Sequence, residues 1–237
     1  MNYLLSKMKK NIKKTYNKSD SSFKKSKLIN NDYTDLIKKH VNKNSVVLDL
    51  GCGSGRLTKS INSIVKKIVG IDFSDELIKS AKKNSCASNI DYLVMDGEKL
   101  SFPKHSFDVV VSHAVLNKKM CRAERALKSA FNVLKPGGKV IIKMIYYTWG
   151  KEFNFSGGYN SKEIRRILKN IGYVKIRISI KKQKFSSKTY GGVRWVRSTE
   201  AVNLSPKKDF EEFFSKTKNN YCFDDSFMVV YAEKEEI

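Results

Sequence analysis

Cysteine is scarce and scattered in this sequence: Cys52, Cys86, Cys121 and Cys222 form no CxxC pair and have no histidine at ligand spacing. That spacing excludes a disulfide framework and gives no metal site, and it fits a chain kept in a reducing cytoplasm. No apolar run approaches the ~20 residues of a membrane-spanning helix. The opening MNYLLSKMKKNIKK is too broken by lysine to serve as a signal segment. The expectation is a cytoplasmic protein with no membrane span. Acidic residues are also few, 23 against 47 basic ones, for a formal charge of +24. Such an excess ordinarily points to RNA, DNA or an anionic surface. Here, however, 39 of the basic residues are lysine and only 8 are arginine, in a chain also rich in Asn and Ile. Nucleic-acid sites lean on arginine, whose planar fork reads phosphates and bases bidentately. The charge alone therefore selects no partner.

What is present is one domain's worth of core: 237 residues, 41% of them hydrophobic. Residues 1–30 carry nine lysines, one aspartate and a serine-rich middle, the composition of a basic, disordered tail. Residues 31–237 read as one domain. Leu36, Ile37 and Val41 fall at helical spacing behind Asp32, which is placed as an N-cap. Strands and helices then alternate. Val46–Leu50, Ile68–Ile71, Tyr92–Met95, Phe107–Val111 and Val140–Met144 read as strands. The stripes Leu57/Ile61/Ile64/Val65, Leu77/Ile78/Ala81 and Leu127/Ala130/Phe131/Leu134 read as helices, with Ser74 capping the second and Lys135-Pro136-Gly137-Gly138 stopping the third. Five strands with helical crossovers imply a parallel sheet.

The last third differs. Ser161 is expected to cap a helix that ends at Gly172, and Val174 to Ile180 alternates with Lys175, Arg177 and Ser179 as an outer strand with one wet face. Met228–Ala232 offers a final strand after a segment at about 181–226, taken as an insertion. The predicted architecture is α/β: a Rossmann-like, doubly wound, seven-stranded sheet, mostly parallel with one antiparallel strand near the C-terminus.

Chemistry concentrates where the first strand ends. Asp49-Leu50-Gly51-Cys52-Gly53-Ser54-Gly55 leaves a strand and opens a helix, and glycines there let backbone approach a ligand and adopt positive φ. Asp72 ends the second strand, 21 positions past Gly51, where a carboxylate can hold a ribose diol. Asp96 follows the third strand. Taken alone, Asp49 fits a strand-end turn and Asp72 the turn before the Ser74 cap. Together the three acids surround the crevice in which doubly wound sheets bind ligands.

With these segments in hand, the chain resembles the class I S-adenosylmethionine-dependent methyltransferases, in particular the branch of small-molecule and quinone-biosynthesis enzymes. VVLDLGCGSGRLT resembles that family's first motif, IVGIDFSDELIKSAKK its second, DYLVMDGEKLSFPKHSFDVVVSHAVL its third and fourth, and LKPGGKVII the segment around strand five. The resemblance runs from about Asp32 to Met144. It implies S-adenosylmethionine as cofactor, with Gly51, Gly53 and Gly55 at its methionyl part and Asp49 near its ammonium. It implies Asp72 on the ribose hydroxyls, Phe73 along the adenine, and Asp96 with Gly97 at the adenine amino group. Ser112 and His113 would line the space between sulfonium and acceptor. His113 is the candidate catalytic residue, because an imidazole with an ordinary pKa of about 6.5 suits proton removal at neutral pH, although a lone histidine at a strand end is also commonly structural.

The implied function is methyl transfer to a small-molecule acceptor. A nicotinamide dehydrogenase would need GxGxxG, whereas Arg56 and Leu57 follow GxGxG here. A binding protein without turnover would not need the intact glycine and acid set. The alternative is a methyltransferase acting on RNA, through the basic tail and an insertion in which Lys181, Lys182, Lys184, Lys188, Arg194 and Arg197 alternate with Phe185, Tyr190 and Trp195. Against it, Ser112-His113-Ala114-Val115 stands where many amino-methylating nucleic-acid enzymes carry an Asn/Asp-Pro-Pro-aromatic tetrapeptide.

Overall fold

The central strands are nearly continuous apolar runs whose successive side chains enter two separate cores, which is the sequence's instruction for a sheet covered on both faces. In the computed structural model, which describes residues 31–118, 121–147, 158–186 and 222–236, the elements run in chain order as follows. Helix α1 is Asn31–Lys38, β1 Val46–Leu50, α2 Arg56–Ile61, β2 Lys67–Asp72, α3 Asp75–Asn84 and β3 Ile90–Val94. Then come β4 Phe107–His113, α4 Ala123–Val133, β5 Leu134–Tyr147, α5 Ser161–Ile171, β6 Tyr173–Ser186 and β7 Cys222–Lys234. They form a seven-stranded sheet in the order β3-β2-β1-β4-β5-β7-β6. β1 to β5 are parallel, and β7 lies antiparallel to both β5 and β6. The predicted fold class holds, with β7 as the single reversed strand and β6 at the outer edge.

One core lies between the sheet and α4 and α5: Leu48, Val110, Val140 and Ile142 meet Ala126, Leu127, Ala130, Ile164 and Leu168. The other lies under α1 and α2: Val47, Ile68, Val109, Val111 and Ile141 meet Tyr33, Ile37, Leu57 and Ile61. The reversal of strand order between β1 and β4 opens a crevice at their carboxyl ends.

Local signals were read with small offsets. Ser74 caps α3 as expected, its side chain accepting from Leu77 N–H. Helix α1 already includes Asp32, because it starts at Asn31. Asn160, not Ser161, caps α5, in a reciprocal capping box with Glu163. Gly172 ends that helix at φ 109°, as expected. The Lys135-Pro136-Gly137-Gly138 segment does end α4, but it is carried within β5 as a bulge between the pairs Phe107/Leu134 and Val109/Lys139. The exposed end of α4 is closed from a distance: Lys234 Nζ donates to Phe131 O at 3.0 Å and Leu134 O at 2.9 Å. The alternation of β6 is interrupted by a bulge between Val174 and Arg177, with Lys175 at φ 49°. The basic segment 1–30 lies outside the described residues. Of the expected insertion, 181–186 continues β6, 222–226 begins β7, and the remainder lies outside the described residues.

Tyr33 ties α1 to the rim of the crevice. Its hydroxyl lies 2.7 Å from Ser112 O and 2.8 Å from Ile141 O, shares its proton between them, and accepts from Ser112 N–H at 3.3 Å. Tyr33→Phe should therefore lower unfolding stability by about 1–3 kcal/mol, seen as a lower urea midpoint at unchanged slope, because buried strand groups lose their partner.

Candidate active site

The loop after β1 is shaped by three glycines that L-residues cannot easily replace. Gly51, Gly53 and Gly55 have φ of 75°, 56° and 81°. The reasons differ. A Cβ on Gly51 would overlap the Val115 side chain, and one on Gly55 would overlap the Tyr92 hydroxyl, so these two are fixed by packing. A Cβ on Gly53 would meet nothing within 4 Å among the described residues. Gly53 thus borders open space, and a side chain there would fill that space at the cost of left-handed backbone strain alone.

The acids converge on this loop. Asp72 is buried at the end of β2, accepting from Gly53 N–H at 3.0 Å through Oδ2 and from Ser74 N–H at 2.9 Å through Oδ1. Gly51 and Cys52 donate to Ile71 O, each at 2.8 Å, and Met95 N–H donates to Asp72 O at 2.9 Å, so the ends of β1, β2 and β3 are laced together. Asp49 is buried in β1 and accepts from Thr58 Oγ1 at 2.6 Å. Burial lifts its carboxyl to about 7, the Thr58 hydroxyl pulls it down, and the nearby Asp72 adds repulsion. Burial likewise raises Asp72, against the backbone N–H groups of Ser74 and Gly53. Phe73 follows, half-buried.

Asp96 turns the chain after β3 by accepting from Glu98 N–H at 2.9 Å, and Gly97 lies against Leu50, where a Cβ would come 3.0 Å from Leu50 Cδ2. Ser112 is buried, and its hydroxyl donates to Leu50 O at 2.8 Å and joins β4 to β1. His113 ends β4 with its ring 5.6 Å from that of Tyr33. Its Nε2 is shut off from solvent and has no hydrogen-bond partner among the described residues. Burial, joined by the charges of Lys143 and Arg56, lowers its pKa to about 4. The imidazole is thus neutral throughout the physiological range and a weaker base than its ordinary pKa implies. Among the described residues no group of histidines, cysteines and acids could hold a metal ion.

Four participants escaped the sequence reading. Tyr33 and Thr58 act through contacts distant in the chain. Glu98 is buried and accepts from Arg122 N–H at 2.9 Å and Arg122 Nη2 at 3.2 Å, pinning the segment before α4. Lys143 is 4% exposed in β5. A lone cation in the apolar run Val140-Ile141-Ile142-Lys143-Met144 was the one visible signal.

The geometry, a glycine cradle open at Gly53 and flanked by strand-end acids, fits a nucleoside-bearing cofactor, and the comparisons decide which. The family described as methyltransferase domain matches residues 48–142. The chain is 30% identical over 234 residues to an uncharacterised protein of Methanocaldococcus jannaschii, a match covering 94% of this chain and 79% of that one. This chain belongs to the class I S-adenosylmethionine-dependent methyltransferases. The methyltransferase is also 36% identical over 109 residues to the ubiquinone/menaquinone biosynthesis C-methyltransferase of Wigglesworthia glossinidia brevipalpis, over 43% of each chain. The match thus spans less than half the length of that relative. In fold it resembles an S-adenosylmethionine-dependent methyltransferase of Mesorhizobium loti, with TM-score 0.59 and 15% identity over 86% of this chain and 96% of that one. It also resembles the phosphoethanolamine N-methyltransferase 2 of Haemonchus contortus, solved with S-adenosylhomocysteine, with TM-score 0.60 and 18% identity over 87% of this chain and 53% of that one. S-adenosylmethionine is the cofactor of this enzyme.

Two measurements test the site. Gly53→Ala should leave thermal stability within the roughly 1–2 kcal/mol cost of left-handed backbone yet weaken S-adenosylmethionine binding at least about tenfold, whereas Gly51→Ala should destabilise the fold itself. The second concerns pH. Unfolding lets Asp49 ionise at its ordinary pKa, so between about pH 4 and 7 the folded state keeps a proton that the unfolded state has lost. Stability from this group falls as pH rises through that window, by up to about 1.4 kcal/mol per pH unit. Asp49→Asn should flatten the decline when urea unfolding of the ligand-free protein is followed across it.

Proposed function

We propose that the enzyme methylates a small-molecule acceptor seated over the carboxyl ends of β4 and β5, and that it does so in the cytoplasm, a setting that the free Cys52, Cys86 and Cys121 support. The observation that carries the acceptor reading is closure: His113 Nε2, at the end of β4, is sealed beside the Tyr33 ring. Such a setting suits a small guest better than a polymer lying across an open groove. The quinone-biosynthesis relative and the Haemonchus enzyme, solved with phosphomonomethylethanolamine, act in the same direction. No helix among the described residues is long and apolar enough to cross a membrane.

S-adenosylmethionine brings a methyl group already activated on a sulfonium. The protein's part is to bind, orient and exclude water. Gly51, Gly53 and Gly55 shape the bed for the methionyl part, and the Asp49 carboxyl lies where a ligand ammonium would draw it into its ionised form. Asp72 would hold the ribose hydroxyls. Phe73, Asp96 and Gly97 would border the adenine. Holding the acceptor in line with the methyl group can supply about 7–11 kcal/mol of barrier lowering. His113, neutral at physiological pH, orients the acceptor. An acceptor that must lose a proton would need more basicity than this imidazole offers.

The test is incubation with tritiated S-adenosylmethionine and separated RNA, lipid and small-metabolite extracts of the host. Label should enter the small-metabolite fraction, and Asp72→Ala should reduce cofactor affinity about 10- to 100-fold with a matching loss of label. Label in RNA alone would overturn the reading.

A further inference from the structure

The crevice is divided electrically. Its acids, Asp49 and Asp72, stand at the ends of β1 and β2 and beside the glycine loop. Across the switch point the polarity reverses. His113 and Lys143 are register partners on β4 and β5, and the two strands are fastened just there by Ala114 N–H donating to Lys143 O at 2.8 Å. Val111 and Ile141, two positions earlier on each strand, face the core under α1 and α2. Side chains two apart on a strand share a face. His113 and Lys143 therefore point to the same side, toward the start of α2, whose first residue is Arg56. The proximity is felt electrostatically, since both cations depress the proton affinity of His113. Lys143 is 4% exposed and Arg56 is half-buried, so neither belongs to the solvated lysine surface that accounts for most of the chain's charge. Charges at low exposure act through a weaker dielectric than surface charges and are less screened by salt.

We propose that the methyl acceptor carries an anionic group, a carboxylate or a phosphate, held over the ends of β4 and β5 by Lys143 and Arg56, beside the neutral His113 ring. The proposal rests on the small-acceptor reading and deepens it. Ammonium and guanidinium groups bind such anions through short, charge-assisted hydrogen bonds, and the guanidinium fork can engage two oxygens at once. A neutral imidazole beside them adds no third cation to repel its neighbours. The arrangement also sorts the ligands: the cationic end of the cofactor belongs with Asp49 and Asp72, the anionic acceptor with the opposite rim.

A small-metabolite extract split on an anion exchanger into retained and unretained pools tests this, each pool being incubated with the full-length protein and tritiated S-adenosylmethionine. Label should enter the retained pool. Phosphatase treatment of that pool beforehand abolishes labelling if the group is a phosphate monoester and spares it if it is a carboxylate. Lys143→Met and Arg56→Met should each lower kcat/KM on the labelled pool about 10- to 100-fold, while affinity for S-adenosylhomocysteine, read by calorimetry, stays within about twofold of wild type. Lys143→Arg should recover part of the loss. The cofactor titration verifies that each variant is folded, and the two positions lie on different elements, so failure of one variant to fold leaves the other decisive. Label confined to the unretained pool overturns the proposal and leaves the small-acceptor reading standing. Label in RNA or lipid alone overturns both. Retained-pool labelling that neither Lys143→Met nor Arg56→Met weakens also overturns the proposal.

Discussion

The Asp72 carboxylate, clamped between Gly53 N–H and Ser74 N–H, is the point on which the crevice depends. Through Oδ2 it holds the glycine loop of β1 in its left-handed course, and through Oδ1 it orders the turn into α3. The same residue's carbonyl takes Met95 N–H and so fixes where β3 delivers Asp96 and Gly97. A loop with three positive-φ glycines has large conformational freedom when unfolded, and hydrogen bonds to a carboxylate, stronger than those to neutral acceptors, are suited to restraining it. The site is therefore largely shaped before any ligand enters, which lowers the ordering cost of binding.

That preparation is set against an electrostatic cost. Asp49 and Asp72 are both buried and close enough to oppose each other's ionisation, and the first is held up to about 7. Water would relieve this at an exposed site; here a cationic ligand group is the natural relief. On the far rim the same logic runs with opposite sign at His113, which burial and two cations keep unprotonated. The two strand pairs on either side of the switch point have thus been given complementary fields, and ligand orientation follows from charge before it follows from shape.

Legibility from the sequence tracked the range of the interactions involved. The central strands, their order of appearance and the Ser74 cap were readable because periodicity and capping act over a few residues. The glycine–acid constellation was readable because each member sits at a strand end, so that a strand count alone brings Asp49, Asp72 and Asp96 to one edge. The roles within it were not. The bond by which Ser112 ties β4 to β1 through Leu50 O has no local signal in the sequence. Tyr33 meets Ile141 at a sequence separation of 108, and Lys234 closes α4 from a separation of 100. Such pairings depend on the assembled sheet. The basicity of His113 is hidden for a related reason: an ordinary pKa belongs to a solvated imidazole, whereas burial in the assembled sheet lowers this one, with cations from β5 and α2 adding to the effect.

The reversed strand has a consequence for how the protein comes into being. β7 lies between β5 and β6, yet it follows both in the chain, so during synthesis a gap in the sheet stays open until β7 emerges. β1 to β4, which carry the glycine loop and the strand-end acids, need no such wait, because each pairs with a strand made close to it in time. The nascent chain would first assemble its cofactor-binding half with two strand edges still unsatisfied, and unpaired edges recruit other chains. Closing the gap joins strands made far apart, the slowest kind of contact to form. Vulnerability to aggregation should therefore be concentrated in the interval before β7 is inserted, with β5 and β6 as the exposed surfaces.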